Sequence, residues 1–141
     1  MTDNSKPTEI LYYDFNVSKI AEMVVDGEQI TPVLEYQFDT IGEHTVYIKF
    51  VDMTQIPEYA FINTGLIEVT IPNLVTTIGD EAFRDCYDLA KITSLATTAP
   101  SVQNNTFYNI WNGVLYVPQG ATGYDIWLNQ FHNWTIQTIS E

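Results

Sequence analysis

Four carboxylates fall within nine residues of this sequence and form its densest set of possible metal ligands; they are Asp80, Glu81, Asp85 and Asp88. Carboxylate oxygens are hard ligands of the kind that calcium prefers. Their spacing does not follow the D-x-[DN]-x-[DN]-G pattern of a calcium loop, and Arg84 lies among them as a competing cation. We therefore interpret the segment as a solvated acidic turn, keep calcium binding as the alternative, and predict that the protein uses no structural metal.

Nucleophiles and general bases are scarce and isolated. Cys86 is the only cysteine, which excludes an internal disulfide, and we predict that its thiol is buried and inert. The two histidines, His44 and His132, lie far apart in the chain. The sequence contains no glycine-rich phosphate loop and no G-x-S-x-G, H-E-x-x-H or C-x-x-C motif. We predict no catalytic residue, no cofactor and no enzymatic activity.

The charge balance limits the classes of partner. The 141 residues contain 18 Asp and Glu against five Lys and Arg, which gives a net charge of −13. This charge repels phosphate backbones and anionic lipids, so we expect neither nucleic acid nor a membrane surface as a partner. No apolar run reaches the roughly 18–20 residues of a transmembrane helix. Residues 1–8 lack the features of a secretory signal, so we expect a protein used without export or a piece of a longer exported chain.

Apolar residues recur at a nearly constant spacing. Two sets of residues recur with the same constant spacing along the chain. The first set is Val46, Val69, Ile92 and Leu115, and the second is Ile48, Ile71, Ser94 and Val117. Nearly the same step connects Phe61, Phe83 and Phe107. A period of roughly 23 residues is typical of a solenoid, in which the parallel strands of successive coils stack on one another. We therefore expect these residues to line a shared core, with Glu68 beside Lys91 on neighbouring strands.

The residues that point outward from these strands should form rows across the sheet. One row is predicted to contain Tyr47, Thr70, Thr93 and Tyr116. Tyrosines with hydroxyl neighbours suit contacts with protein or sugar. The row is therefore either ordinary β-sheet surface or a shallow binding strip.

Several segments carry a family resemblance. Residues 66–73 and 75–86 closely resemble the BspA-type leucine-rich repeat. Residues 92–120 are similar to the unit that closes such arrays, and segments 25–28 and 38–46 are similar to the β-rich leader that precedes them. The resemblance implies a mainly β fold with short helical turns, arranged as a short leucine-rich-repeat solenoid with capping segments. It also implies a role in bacterial surface adhesion.

We divide the chain into three parts of one structural unit. Residues 1–44 are predicted to form a β-rich N-terminal cap, residues 45–118 the leucine-rich-repeat solenoid, and residues 119–141 a C-terminal cap. Within the last part, residues 124–128 have helical spacing and residues 134–139 suggest a final edge strand.

The tryptophans are concentrated in a region of low charge. Trp111, Trp127 and Trp134 all lie between positions 100 and 141, a segment with two acids and no base. Such residues either complete the core or form a docking face rich in anchor residues. We expect at least one of the three to be substantially exposed in the isolated chain.

These observations predict a non-catalytic interaction or structural module that holds a protein partner or a second copy of itself. The favoured hypothesis is a subunit of a larger assembly, such as a bacteriophage fibre, decoration or attachment protein. The alternative is a cell-surface adhesin domain that binds host protein or glycan. The first hypothesis places the protein in a virion or another complex, and the second places it at the cell surface.

Overall fold

A computed structural model describes residues 8–13, 15–50 and 54–139, and their regular secondary structure is mainly β-strand with very little helix. This confirms the predicted fold class. The chain divides into two compact units, Met1–Met53 and Thr54–Glu141, which are described separately below. None of the described helices is long and apolar enough to cross a membrane.

The first unit is antiparallel. Its described elements are β1 (Thr8–Glu9), a 3₁₀ helix (Val17–Lys19), β2 (Ile20–Val25), β3 (Glu28–Ile30), β4 (Glu35–Tyr36) and β5 (Val46–Phe50). β2 lies between β3 and β5 in a three-stranded sheet, and β1 pairs with β4. Asp26 and Gly27 form the β2–β3 turn with positive φ angles of 49° and 87°, in agreement with the hairpin expected for an Asp-Gly pair. Met23 and Val25 of β2 are buried in the core of this unit.

The second unit is a solenoid of about four turns. Its elements are β6 (Gln55–Ile56), β7 (Glu68–Ile71), β8 (Thr77–Ile78), β9 (Lys91–Ser94), β10 (Trp111–Val117), α1 (Asp125–Leu128) and β11 (His132–Thr138). The longer strands form one parallel sheet in the order β7–β9–β10–β11, and β6 pairs in parallel with β8. The predicted helix at residues 124–128 and the predicted final edge strand are both present.

The register of the parallel sheet confirms the constant step for the members of the apolar series that lie in the second unit. The expectation that Val46 and Ile48 line the same core is corrected, because they lie in β5, opposite Val25 and Met23 of β2 in the first unit. Val69 lies opposite Ile92, and Ile92 lies opposite Leu115. Ile92 and Leu115 are fully buried, whereas Val69 is half-buried because β7 is the first strand of the sheet. Glu68 and Lys91 are neighbours on the outer face, as predicted, with Nζ 3.9 Å from the Glu68 carboxylate.

Ser94 occupies a core position where the repeat would place an aliphatic residue. Its hydroxyl is fully buried and lies 2.8 Å from the Tyr124 hydroxyl, which donates a hydrogen bond of 2.7 Å to the carbonyl of Ala96. Because the Tyr124 proton is used in that bond, Ser94 is the donor to Tyr124. Burial raises the pKa of Tyr124. The Tyr124 hydroxyl therefore satisfies the hydrogen bonding of Ser94, and this explains why a polar residue is tolerated in the core.

The structure corrects the predicted row that began with Tyr47. This residue lies in β5, opposite Val24 of β2, in an antiparallel sheet of the first unit. In the second unit the row contains Thr70, Thr93 and Tyr116, and it continues to Gln137 of β11. An alternation of period two is the same in parallel and antiparallel strands. The sequence pattern of β5 therefore did not reveal which strand it pairs with.

A column of phenylalanine rings confirms the second repeat signal. The ring centroids of Phe61 and Phe83 are 5.4 Å apart and those of Phe83 and Phe107 are 5.6 Å apart, with interplanar angles of 11° and 10°. Phe131 and Trp127 then pack on Phe107, each with a centroid distance of 4.9 Å. The column is thus closed at its C-terminal end by aromatic rings that do not continue the stack.

Candidate functional site: an exposed aromatic surface

The three tryptophans have different environments. Trp111 at the start of β10 is 51% exposed, which agrees with the expectation that at least one tryptophan is substantially exposed. Trp127 of α1 is fully buried, and its Nε1 donates a hydrogen bond of 3.0 Å to the carbonyl of Pro100. Its assignment to a docking face is therefore corrected, because it belongs to the core. Trp134 of β11 is half-buried, and its ring lies where a Cβ atom on Gly113 would have to be.

The outward row of the parallel sheet contains three of the four residues predicted for a binding strip. Thr70 is exposed, and Thr93 and Tyr116 are half-buried on adjacent strands. The Nζ atom of Lys91 lies 5.3 Å from the ring centroid of Tyr116. Tyr47 is 53% exposed but belongs to the first unit. A binding role for this strip stays a prediction.

Trp111 is the centre of a larger aromatic surface that the sequence did not predict. Its indole stacks on the His132 ring, with centroids 4.0 Å apart and planes inclined by 15°. Its Nε1 donates a hydrogen bond of 3.1 Å to Oδ1 of Asn109. Nδ2 of Asn109 lies 3.5 Å from the hydroxyl of Tyr87, which is 62% exposed. We call the exposed rings of Tyr87, Tyr108, Trp111 and His132 the aromatic surface.

A polar network holds this surface in place. Asn109 donates a second hydrogen bond, of 2.9 Å, to the carboxylate of Asp85. Arg84 forms ion pairs with Asp85 at 3.5 Å and with Glu81 at 3.1 Å. The same guanidinium lies 4.9 Å from the ring centroid of Tyr108, which is 49% exposed. The network connects two carboxylates of the acidic turn to three of the exposed rings, which are those of Tyr87, Tyr108 and Trp111.

The acidic turn therefore has structural contacts. Besides the ion pairs of Arg84, the Asp80 carboxylate accepts a hydrogen bond of 3.3 Å from the backbone N–H of Asn105. Among residues 8–13, 15–50 and 54–139, no three His, Cys, Asp or Glu side chains are placed so that they could hold a metal ion. The segment is a turn, as predicted, but only Asp88 of its four acidic residues is exposed. Asp80, Glu81 and Asp85 are half-buried, which corrects the expectation that the whole acidic turn is solvated.

A repeated backbone conformation positions the amide of Asn109. Asn63, Asp85 and Asn109 occupy equivalent positions in successive coils, and their φ angles are 54°, 58° and 66°. Asn and Asp tolerate this left-handed region better than other residues with side chains. These three residues have the same spacing along the chain as the three stacked phenylalanines. The regular spacing of these Asn and Asp residues is the sequence signal that could have indicated the role of Asn109 in the aromatic surface.

A hydrogen bond between two asparagine side chains lies beside the aromatic surface. Asn112 and Asn133 also have positive φ angles, of 62° and 59°, and Nδ2 of Asn133 donates a hydrogen bond of 2.6 Å to Oδ1 of Asn112. Each asparagine directly follows one ring of the Trp111–His132 stack. The stack and the amide pair therefore link the start of β10 to the start of β11.

Cys86 is fully buried in the core. Its Sγ donates a hydrogen bond of 3.0 Å to the carbonyl of Phe61. Burial raises the pKa of the thiol to about 11. Its burial confirms the prediction of a buried thiol. At neutral pH such a thiol is protonated and is therefore a poor nucleophile.

His44 in the first unit is held by two acceptors. Nδ1 lies 2.7 Å from the Asp26 carboxylate and Nε2 lies 2.9 Å from the carbonyl of Thr40, while the ring stacks on Phe38. Both nitrogens donate only in the imidazolium form, so the Thr40 carbonyl and then Asp26 raise the pKa of His44. The backbone N–H of Thr45 and then His44 lower the pKa of Asp26.

We expect this pair to make the stability of the first unit depend on pH. The contribution of His44 is fully present below its unfolded value of 6.5 and is lost as the pH rises through its higher folded pKa. The contribution of Asp26 is present above 3.8 and is lost as the pH falls through its lower folded pKa. An NMR titration of the His44 ring should give a pKa above 6.5, and Asp26→Asn should lower it. An unchanged His44 pKa in that variant would contradict the contact.

The comparisons with known proteins identify the repeat. Residues 54–122 match the family model described as the BspA type leucine rich repeat region, with six copies. No curated protein and no solved structure matches the chain. The match lies within the second unit and covers the solenoid from β6 to the residues before α1.

Proposed function

We propose, on the premise that residues 54–122 are a BspA-type leucine-rich repeat region, that this chain is a non-catalytic module that binds a protein partner. Leucine-rich repeat domains generally mediate protein interactions, and the family is typically non-catalytic. The observation that supports the proposal is the aromatic surface. Three of its rings are about half exposed or more, although large aromatic side chains are the residues that most stabilise a core when buried.

The surface has the properties of a binding hot spot. Tyrosine and tryptophan are enriched among the residues that contribute most to protein interfaces. Trp111 is already held by the Asn109 amide and by stacking on His132. Little side-chain entropy is therefore lost when a partner packs on it, and this favours affinity.

The charge of the chain indicates the chemistry of the partner. A net charge of −13 attracts basic surfaces and repels acidic ones. Asp88 adds an exposed carboxylate close in sequence to Tyr87. Arg84 over Tyr108 shows that a guanidinium can lie against a ring of this surface. We infer that the partner presents Arg or Lys side chains to the exposed rings.

A subunit of a larger assembly, such as a bacteriophage fibre, decoration or attachment protein, is the finer form of this proposal. Its support is that the chain has two features with the properties of interfaces, the aromatic surface and the outer edge of strand β11 considered below. The second candidate is an adhesin domain that binds host protein or glycan at the cell surface. Its support is the amide pair of Asn112 and Asn133 beside an exposed indole, since sugars bind to rings flanked by hydrogen-bonding groups.

The test compares peptides and sugars on matched variants. We expect Arg- and Lys-rich peptides to change the fluorescence of Trp111, and Trp111→Ala and Tyr87→Ala each to weaken their binding at least about 10-fold. Tyr13→Ala, at a 73% exposed tyrosine of the first unit, is the control that leaves binding unchanged. Equal binding of Asp- and Glu-rich peptides, or binding that Trp111→Ala does not affect, would contradict the proposal. Binding confined to oligosaccharides would favour the adhesin candidate.

A further inference from the structure

The parallel sheet ends in an unusually accessible strand. In the described part of the chain β11 pairs with β10 on one side only, over the length of both strands. Its outer edge therefore presents backbone N–H and C=O groups that can pair with another strand. β11 is seven residues long, against four for β7 at the other edge of the same sheet.

The core is incomplete under this edge. Ile92, Leu115 and Ile136 follow one another in register on β9, β10 and β11, so Ile136 lies on the core face. The first two are fully buried, but Ile136 is 43% exposed. By contrast the phenylalanine column ends in Phe131, which is 8% exposed. The sheet side of the core thus lacks the apolar side chain that a further strand would supply.

β11 also lacks the features that usually prevent edge pairing. Natural edge strands carry charged residues or proline. The seven residues of β11 contain no Asp, Glu, Lys, Arg or Pro. Asp125 is the only Asp, Glu, Lys or Arg between positions 118 and 139, so almost all of the 18 acids lie elsewhere in the chain. This end of the solenoid is therefore where two strongly acidic copies can approach one another with the least repulsion.

We propose that β11 pairs with β11 of a second copy, antiparallel and across a twofold axis at Ile136, to form one continuous sheet. Ile139 donates its N–H to Val117 of β10. N–H groups alternate between the two edges along a strand, so those of Ile136 and Thr138 point to the outer edge. With the axis at Ile136, this residue forms a hydrogen-bonded pair with its own copy, and Thr138 pairs with Trp134 of the other copy.

This register is self-complementary in its side chains as well. Ile136 of each copy lies opposite Ile136 of the other on the core face, so each supplies the apolar contact that the other core lacks. A twofold interface requires this kind of self-complementary patch. A foreign strand would satisfy the same backbone groups, but the neutral edge and the central isoleucine favour a second copy.

Sedimentation equilibrium or light scattering tests the proposal on the full chain. We expect a dimer of twice 16.1 kDa that is strengthened by salt, because salt screens the repulsion between copies of charge −13. Ile136→Glu should weaken the dimer at least about 100-fold, because it places two carboxylates opposite each other. Leu74→Glu adds the same charge at a 61% exposed position between β7 and β8 and should leave the dimer intact.

A second variant separates pairing from folding. Thr138→Pro removes an N–H that points away from β10, so the monomer should fold as before while the dimer weakens about 10-fold. Tyr87→Ala changes the aromatic surface at a residue outside β10 and β11, and it should leave dimerisation unchanged, so that this inference and the proposed function can be tested independently. A chain that stays monomeric up to about 1 mM would overturn the proposal. So would a dimer that both Ile136→Glu and Thr138→Pro retain.

Discussion

Ile71→Asp is expected to abolish the cooperative unfolding transition of the solenoid. Ile71 is fully buried at the end of β7, in register with the buried Ser94 of β9. An aspartate there would place an unpaired carboxylate in the shared core, which costs as much as or more than the roughly 5–15 kcal/mol by which domains are stable. All three tryptophans lie in the second unit, so their fluorescence during urea denaturation reports on this unit alone.

Glu68→Ala is the control for Ile71→Asp on the same strand. The Glu68 side chain is 68% exposed, and its ion pair with Lys91 is long. We expect its removal to cost less than about 1 kcal/mol. If Ile71→Asp unfolded at the same urea concentration as the unchanged protein, the register of the parallel sheet would be wrong.

Phe107→Ala is expected to lower the free energy of unfolding of the solenoid by about 3–5 kcal/mol. The Phe107 ring is fully buried and contacts Phe83, Trp127 and Phe131, so its loss leaves a cavity between the last two coils. Urea denaturation followed by tryptophan fluorescence measures the change, since Trp127 packs directly on the missing ring.

Tyr108→Ala is the matched control for Phe107→Ala, at the next position in the chain. Its ring is 49% exposed and contacts the Arg84 guanidinium. We expect a loss below about 1 kcal/mol, because little buried surface is removed. Equal losses in the two variants would contradict the ring column as a main source of stability.

The repeat made much of the second unit predictable from sequence. In a solenoid, equivalent residues of successive coils stack directly on one another, so a constant spacing in the chain becomes a contact in space. This is why the pairings Val69–Ile92 and Glu68–Lys91, the column of phenylalanines and the buried Cys86 could all be predicted. Helix α1 and strand β11 were predictable for a different reason. They were recognised from local apolar patterns, in residues 124–128 for the helix and in residues 134–139 for the strand, and not from the repeat.

The candidate site was only partly predictable. Trp111 was singled out with the other tryptophans, but the sequence could not separate it from Trp127, because exposure depends on the neighbours that the fold brings together. The amide of Asn109 orients two exposed rings through contacts with Asp85, Tyr87 and Trp111. The contacts with Asp85 and Tyr87 join residues from different coils, and they depend on a left-handed backbone conformation at Asn109 that composition does not reveal.

The sequence by itself indicated a short solenoid, because a nearly constant spacing of apolar residues allows successive coils to share one core. Its resemblance to the BspA-type leucine-rich repeat implied the mainly β fold. Only the tertiary structure decided that β5 pairs with β2, that Ser94 has a hydroxyl partner in Tyr124, and that Trp127 is core while Trp111 is surface. The physical reason is the same in each case. Periodicity specifies which face of a strand is buried, whereas strand partners, polar contacts and exposure depend on residues from other parts of the chain that meet only when it folds.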